Sequence, residues 1–360
     1  MKNNPLNDYL KNFKIEAFQH DLIDWFQKEQ RDLPWRQDKD PYKIWVSEIM
    51  LQQTKVDTVI PYFNQFIEKF PTLVDLADAN EQEVLKAWEG LGYYSRARNL
   101  QNAVREVVTS YDSKIPQESK QLALLKGVGP YTKGAILSIA YDIPEPAVDG
   151  NVMRVFSRLL MIDHDISKQS VRRLFEQCVS ETISQDNPSA FNQGLMELGA
   201  LICTPKKPSC MLCPVQEHCK AYHNGVQEQL PVKTKKKKQK EIPYLVFVIQ
   251  DDQGNILIEQ RPEEGLLANM WQFPMIPLFE VDLEHSVNWI EQKYGIKVSV
   301  ENNLEQIKHV FSHLIWQLGV YKAGLVSGNL SEKNAVLVPK NELANYPFPV
   351  SHQKILKHLI

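Results

Sequence analysis

Four of the five cysteines in this chain lie close together, as Cys203, Cys210, Cys213 and Cys219. Thiolates are the ligands that zinc and iron–sulfur clusters favour, and a chain of 360 residues can bury a core without disulfides. Zinc sites usually pair two spacings of roughly two to four residues, whereas only Cys210 and Cys213 are that close here. The irons of a cubane present separate corners to the chain, so the spacing favours a 4Fe–4S cluster over zinc.

A glutamate that could donate a proton lies in the segment Trp45–Thr54. At about 100° per helical residue, the side chain of Glu48 falls between Ile44 and Trp45, away from the polar arc that holds Ser47. Burial raises the pKa of a carboxyl group, so a glutamic acid on this face could remain protonated near neutral pH. A catalytic acid and a buried structural partner both fit this pattern.

A glycine-rich turn and a second acid follow. The segment Leu125–Thr132 reads LKGVGPYT and places Gly127 and Gly129 between two helical patterns. Such a turn lets backbone amides approach an anion at a helix N-terminus, as in the helix–hairpin–helix grip on a DNA phosphate, although an ordinary helix turn is the alternative. Asp149 stands just before another helical pattern, where it fits an N-cap, a catalytic acid, or both.

The elements that position these residues change in type along the chain. Apolar residues recur at helical spacing through 15–220, with Pro41 in a first helical turn and Pro61 among the prolines at boundaries, so this region is predicted to be all-helical. Residues 222–243 are polar and lysine-rich, as in a solvated linker; contact with DNA phosphates is a secondary reading. Beyond them, strand patterns and a hairpin signal around 251–255 predict a smaller α+β domain.

Composition narrows the class of protein without choosing a partner. The chain is 43% hydrophobic and 24% charged, as expected of an ordinary globular protein. Its formal net charge of −3 gives no global case for nucleic acid, so any phosphate-binding surface must be local. No apolar stretch reaches the roughly 20 residues that span a bilayer, and the N-terminus has no secretory pattern. We therefore expect a cytoplasmic protein with no membrane partner.

Four motifs in this order and separation resemble the endonuclease III superfamily of DNA base-excision glycosylases. They are SEIMLQQT (47–54), LKGVGPYT (125–132), VDGNV (148–152) and the cysteine loop. The resemblance covers about residues 15–220 and implies a helix–hairpin–helix glycosylase domain with a 4Fe–4S loop. Bifunctional members use a lysine two residues after the second hairpin glycine as a Schiff-base nucleophile. Tyr131 stands there and Lys133 lies on a different face, so the chain resembles the monofunctional, MutY-type adenine glycosylases.

The C-terminal region resembles a Nudix-like fold. The match rests on the segment Arg261–Pro274 and the helix that ends at Tyr294. Its helix reads NWIEQK at 288–293 and lacks the acids with which a working Nudix hydrolase holds its metal, which argues against pyrophosphatase activity. In this setting the domain resembles the MutY reader of 8-oxoguanine, with Phe311–His313 matching the lesion-contacting loop. We predict a helical domain at 1–220 (hairpin about 119–141, cluster loop 203–219), a linker at 221–243 and a Nudix-like domain at 244–360.

The resemblance implies a reaction and a role for each matched residue. Glu48 would protonate adenine at N7, Asp149 would stay ionised and stabilise the cationic sugar, and Tyr131 and Asn151 would orient these groups and water. The remaining matches are phosphate contacts at Gly127 and Gly129, stack-filling residues at Gln53 and Tyr93, 8-oxoguanine contacts at Thr54, Ser312 and His313, and base-pocket residues at Arg31, Trp35, Leu51 and Gln193.

The substrate implied is duplex DNA with adenine opposite 8-oxoguanine or guanine, bound by a monomer. A bifunctional endonuclease III-like glycosylase and abasic-site lyase is the first alternative. A non-enzymatic iron–sulfur DNA-binding protein is the second.

Overall fold

The structure is a computed structural model that describes residues 5–234 and 238–359. The chain forms two compact units. The first comprises the described residues of Met1–Ala77 and Asn102–Lys235, and the second those of Asp78–Gln101 and Lys236–Ile360. The segment Asp78–Gln101, assigned from sequence to the helical domain, therefore clusters with the C-terminal residues. The three-part division at 220 and 243 stays a prediction about separable domains.

The region predicted to be helical contains helices and no strand among its described residues. None of the described helices is long and apolar enough to cross a bilayer. The α-helices before residue 240 are α1 (Pro5–Leu10), α2 (Ile15–Glu29), α3 (Pro41–Leu51), α4 (Val56–Lys69), α5 (Leu73–Asp78), α6 (Glu81–Ala87), α7 (Ser95–Ser110), α8 (Ser119–Leu122), α9 (Pro130–Tyr141), α10 (Gly150–Leu160), α11 (Gln169–Thr182), α12 (Pro188–Leu201) and α13 (Lys220–His223).

Proline marks the start of α3 as the sequence predicted, but it does not mark a boundary in α4. Pro41 occupies the first turn of α3, where a missing N–H costs nothing, and the side chain of Asp40 caps that turn by accepting from the Tyr42 N–H. Pro61 lies inside α4. It leaves the carbonyl of Asp57 without its helical donor, and because Asp57 is exposed, water can take that place.

The largest core of the first unit lies between α2, α10, α11 and α12. Phe18 of α2 packs edge-on against Phe156 of α10 and Phe191 of α12, with ring centroids 6.2 and 5.9 Å apart. Burying each of these rings contributes about 1.5–3 kcal/mol. The thiol of Cys178 is fully buried in the same core, and burial raises its pKa to about 12. It is therefore an inert core residue.

The second unit is built on a seven-stranded sheet with the order β3-β2-β1-β6-β5, with β4 also on β1 and β7 also on β2. Among the described strands, the β1–β6 pair is parallel and the other pairs are antiparallel. The strands are β1 (Lys240–Gln250), β2 (Asn255–Gln260), β3 (Trp271–Gln272), β4 (Met275–Pro277), β5 (Ile296–Val310), β6 (Leu314–Gly328) and β7 (Ala335–Pro339), with helices α14 (Ser286–Tyr294) and α15 (Val350–Leu356). The predicted α+β class is confirmed.

Two parts of the chain depart from the predicted boundaries. Strand β1 begins at Lys240, inside the predicted linker, because Lys240–Pro243 already pairs with the start of β6. The lysine run of the linker falls partly outside the described residues, at 235–237. Within the second unit, helix α6 is bonded to the C-terminal residues through Gln82: its amide donates to the Asn269 carbonyl (3.0 Å) and accepts from the Trp271 indole N–H (2.9 Å). These specific bonds explain why α6 clusters with the sheet.

Candidate active site and iron–sulfur loop

Glu48 is buried near the middle of α3, as its helical position predicted. Its side chain belongs to a residue only 5% exposed, and its neighbour Ser47, assigned from sequence to a polar arc, is buried as well. Burial raises the pKa of Glu48 to about 7, the nearby charge of Asp149 adds to that rise, and a hydrogen bond from Tyr131 and the charge of Arg36 oppose it. Glu48 can therefore keep its proton close to neutral pH.

Tyr131 reaches Glu48 from the first turn of α9. The hairpin places Gly127 in the left-handed region at φ 83°, and Gly129 then caps the helix that carries Tyr131. The hydroxyl of Tyr131 donates to the Glu48 carboxyl group and lies 3.2 Å from the sulfur of Met196. Burial raises the pKa of Tyr131 well above its ordinary value, so the hydroxyl stays neutral and available as a donor.

Asp149 is the N-cap residue of α10, as one of its two predicted roles required, and this position is compatible with the other role, that of a catalytic acid. Its carboxylate accepts from the Val152 backbone N–H (2.8 Å) and from the Asn151 side-chain amide (2.9 Å). Burial raises the pKa of Asp149, and these hydrogen bonds act in the opposite direction. Helix α9 packs closely against the segment that leads to Asp149. A Cβ at Gly134 of α9 would lie 2.0 Å from the carbonyl oxygen of Pro146, so only glycine fits there.

A chain of hydrogen bonds runs from Asp149 to the cysteine loop. The side chain of Asn151 donates to Asp149 and accepts from the guanidinium of Arg154 at 2.8 Å. The same guanidinium donates to the carbonyl of Cys203 at 2.8 Å and to that of Gly199 at 2.7 Å. Arg154 is 8% exposed. One buried cation, Arg154, therefore connects the first cysteine of the loop to Asp149 through the side chain of Asn151.

Both acids line a cleft of about 880 Å³ in the first unit, within the size range of small-molecule sites. The cleft contains most of the residues that the sequence assigned to the site: Glu48, Tyr131, Asp149, Asn151, Gly127, Gly129, Gln53, Thr54, Arg31, Trp35, Leu51 and Gln193. Three other assigned residues, Tyr93, Ser312 and His313, belong to the second unit and are not among the described residues that line this cleft.

One wall of the cleft carries an ionic network that sequence reasoning missed. Glu197 is 1% exposed, and it accepts from Arg31 at 2.7 Å and from Arg36 at 3.0 Å. Burial tends to raise the pKa of Glu197, but the hydrogen bonds from Arg31 and Arg36 outweigh it and lower the pKa to about 2. Arg36 also donates to Gln193 at 3.1 Å. The one available signal was the four-residue spacing from Gln193 to Glu197, which puts both on one helical face.

The surroundings of the four cysteines fit an iron–sulfur cluster. All four line one small cavity, together with Arg158 and Gln216. A cubane holds its four thiolates at separate irons. Buried Arg158 donates to the Cys203 sulfur (3.2 Å) and to the Thr204 carbonyl (2.8 Å), which places a positive charge against the thiolates.

Comparison with known families places each region of the chain. Residues 46–181 match the HhH-GPD superfamily base excision DNA repair proteins, and residues 203–219 match the iron-sulfur binding domain of endonuclease III. Residues 245–358 match the NUDIX domain. These matches confirm the predicted fold class and the 4Fe–4S cluster of the loop at 203–219. That Cys203, Cys210, Cys213 and Cys219 are its ligands stays a prediction.

Similar solved structures cover the first region. A thermostable thymine-DNA glycosylase is 27% identical, with a TM-score of 0.54 over 60% of this chain and 99% of that chain. A trapped endonuclease III–DNA covalent intermediate, 22% identical with a TM-score of 0.50, shows the same fold over 59% of this chain and 97% of that chain.

Curated relatives extend over both regions. Adenine DNA glycosylase of Rattus norvegicus is 35% identical over 86% of this chain and 71% of its own length. The Homo sapiens protein of that name is also 35% identical, over 87% of this chain and 68% of its own length. The corresponding protein of Buchnera aphidicola subsp. Schizaphis graminum is 35% identical over 83% of this chain and 85% of its own length. The chain therefore belongs to the adenine DNA glycosylase family, within the HhH-GPD superfamily of base excision DNA repair proteins.

Proposed function

We propose that this protein hydrolyses the N-glycosidic bond of adenine mispaired with 8-oxoguanine or guanine in duplex DNA, without nicking the strand. The observation that supports it most directly is the pair of unlike acids in one cleft, Glu48 with its pKa at about 7 and Asp149 at a helix N-cap. Hydrolysis of a glycosidic bond needs one group that gives up a proton and a second that stabilises positive charge on the sugar.

In the proposed reaction Glu48 gives its proton to N7 of adenine as the bond between C1′ and N9 breaks. The bonding electrons leave with the adenine, and the sugar acquires oxocarbenium character. The carboxylate of Asp149 stabilises that positive charge until water adds to C1′ and loses a proton to one of the carboxylates. Cys203, Cys210, Cys213 and Cys219 would hold the 4Fe–4S cluster, which would cross-link their loop, and the protein's own side chains carry the acid–base chemistry.

Tyr131 and Asn151 orient the two acids in this proposal. The Tyr131 hydroxyl fixes the Glu48 carboxyl group, and the Asn151 amide fixes Asp149. A bound hydroxyl that stays neutral can hold Glu48 in place without taking its proton.

The absence of a usable lysine supports hydrolysis without strand cleavage. A lyase reaction needs an amine that attacks C1′ and forms a Schiff base. Among the described residues that line the cleft there is no lysine. The nearest sequence candidate, Lys133, is paired with Glu145 at 2.5 Å and donates to Ser119 at 2.8 Å. The lack of a lysine among these cleft residues and the pairing of Lys133 both disfavour the bifunctional alternative.

The mispaired adenine must leave the base stack to reach these acids, because its glycosidic bond is inside the duplex. We propose that Arg31, Trp35, Leu51 and Gln193 receive the extruded base. Gln53, with φ 60°, would fill the space it leaves. Tyr93, 44% exposed, would wedge the neighbouring stack, while Thr54, Ser312 and His313 contact 8-oxoguanine and Gly127 and Gly129 hold a phosphate. We further propose that the protein acts as a cytoplasmic monomer.

The test uses purified holoprotein and duplexes carrying adenine opposite 8-oxoguanine or guanine, analysed with and without alkali. Strand breaks that form only after alkali treatment support monofunctional hydrolysis. Breaks without alkali, or a protein–DNA adduct trapped by borohydride, would instead establish the lyase alternative. Glu48→Gln should keep binding the duplex and lose adenine release, while Glu176→Gln, a cleft carboxyl without a proposed catalytic role, should retain it. Wild-type protein that binds DNA and releases no base would support the non-enzymatic alternative.

A further inference from the structure

One face of α11 borders the same cleft as the two acids. Gln169, Arg172, Arg173 and Glu176 all line it, and their spacing of three, four and seven residues from the first puts them on a single helical face. Both arginines are exposed. Neither belongs to the motifs that identify the family, and the reaction proposed above assigns no role to either of them.

Arg172 and Arg173 differ from the other cations of the cleft in that neither forms an ion pair with a described residue. The described residues that line it include four basic side chains, all arginines. Arg31 and Arg36 are bonded to the buried carboxylate of Glu197. Across the described part of the chain, Arg172 and Arg173 take part in none of the side-chain hydrogen bonds or ion pairs, not even with Glu176 one turn further along α11.

The charges that line the cleft indicate what Arg172 and Arg173 could bind. Four acids line the cleft, Glu48, Asp149, Glu176 and Glu197, against the four arginines. Glu48 is protonated in the proposed reaction, so the charged acids are Asp149, Glu176 and Glu197. Without Arg172 and Arg173 these three carboxylates would face only two arginines, a balance that disfavours a polyanion. Arginine is also the cation whose planar fork matches a phosphate group.

The way in which a base is extruded from the duplex indicates which phosphate groups would lie near Arg172 and Arg173. To place C1′ of the adenosine between Glu48 and Asp149, the nucleotide must enter the cleft while its two phosphodiester links stay with the strand at the rim. We propose that Arg172 and Arg173 bind the phosphodiester groups that flank the extruded adenosine. This inference rests on the proposed function, since it assumes that a nucleotide of duplex DNA enters this cleft.

Equilibrium binding at several salt concentrations tests the proposal. The probe is a duplex whose adenosine, opposite 8-oxoguanine, carries a 2′-fluorine that destabilises the oxocarbenium ion and prevents cleavage. Each phosphate contact contributes roughly 0.7–0.9 to the slope of log affinity against log salt. Arg172→Ala and Arg173→Ala should each lower the slope by about that amount, and each should weaken binding about 5- to 8-fold at about 0.1 M salt, with the double variant losing about 25- to 60-fold.

Two controls separate this contact from general surface charge. Arg172→Lys combined with Arg173→Lys keeps both charges and should keep most of the salt slope. Lys168→Ala removes an exposed cation next to α11 that is not among the cleft residues, and it should leave the slope unchanged. Alanine variants with a wild-type slope, or an equal loss in Lys168→Ala, would overturn the proposal. Adenine release by wild-type protein is scored separately: its absence would refute the proposed function, whereas normal release with an unchanged slope in the variants refutes only this inference.

Discussion

Replacing Glu48 with glutamine should make the folded protein more stable, and the gain should grow with pH. The free carboxyl group has a pKa of 4.5, and in the folded protein burial raises it to about 7. Each pKa unit corresponds to about 1.36 kcal/mol. The ionised carboxylate therefore costs the folded state about 3.4 kcal/mol relative to the unfolded chain, and a glutamine at this position does not carry that cost.

The sign follows from proton binding. Below pH 4.5 the carboxyl group is protonated in both states, so no penalty exists. Between 4.5 and about 7 the unfolded chain loses this proton while the folded protein keeps it, and stability falls as the pH rises. Above about 7 the full penalty applies. The penalty is about 0.8 kcal/mol at about pH 5 and about 3.3 kcal/mol at about pH 8, so the stability difference between Glu48→Gln and wild type should widen by about 2.5 kcal/mol.

Amide hydrogen exchange in the intact holoprotein measures this difference, because the most protected amides report the free energy of opening. For amides of α3 and α9, the ratio of wild-type to variant exchange rates should rise about 70-fold between about pH 5 and about pH 8. Glu176→Gln, in the same cleft, controls for the loss of a carboxyl group as such. A stability difference that stays constant over this pH range would refute the assignment of a raised pKa to Glu48.

Three further predictions concern the chemistry and the lesion. At non-saturating protein, adenine release should fall as pH rises through about 7, by about tenfold per pH unit above it, and a flat profile would contradict the role of Glu48 as acid. Tyr131→Phe should move this inflection to higher pH, because it removes a hydrogen bond that lowers the pKa of Glu48. Arg154→Met should reduce adenine release about 10- to 100-fold by freeing Asn151, as measured in single turnovers, with iron content assayed alongside; unchanged release would remove Arg154 from the positioning of Asp149. Ser312→Ala should reduce discrimination of 8-oxoguanine from guanine by about 1–3 kcal/mol in competition binding, and an undiminished preference would exclude a lesion-specific hydrogen bond there.

The sequence was sufficient where a local pattern carries the information. Helical periodicity placed Glu48 on the buried face of α3, and the position of Asp149 before α10 identified its cap role. Cysteine spacing identified the cluster loop for the same reason, since its ligands are neighbours along the chain.

The parts that sequence reasoning missed depend on contacts between distant segments. Glu197 meets Arg31 across 166 positions of chain, and no local pattern encodes that contact. Helix α6 likewise clusters with the C-terminal sheet because Gln82 bonds to Asn269 and Trp271, a pairing that helical periodicity alone cannot express. Pro61 fits inside α4 because Asp57 is exposed to water there, and exposure is a property of the assembled fold.

The position of each acid within its helix explains why two buried carboxyl groups can serve opposite roles. Burial raises the pKa of both. Within α3, however, the backbone N–H groups are used in helical hydrogen bonds and cannot donate to Glu48. Its carboxyl group accepts a hydrogen bond from the Tyr131 hydroxyl, which is not enough to offset burial, and Glu48 retains its proton near pH 7. At the start of α10 the N–H groups have no helical acceptor, and that of Val152 donates to Asp149. An N-cap carboxylate at the positive end of a helix is thus favoured in its ionised form. Exchanging the acids between these positions would place the proton donor where an anion is stabilised, and the anion where a proton is retained.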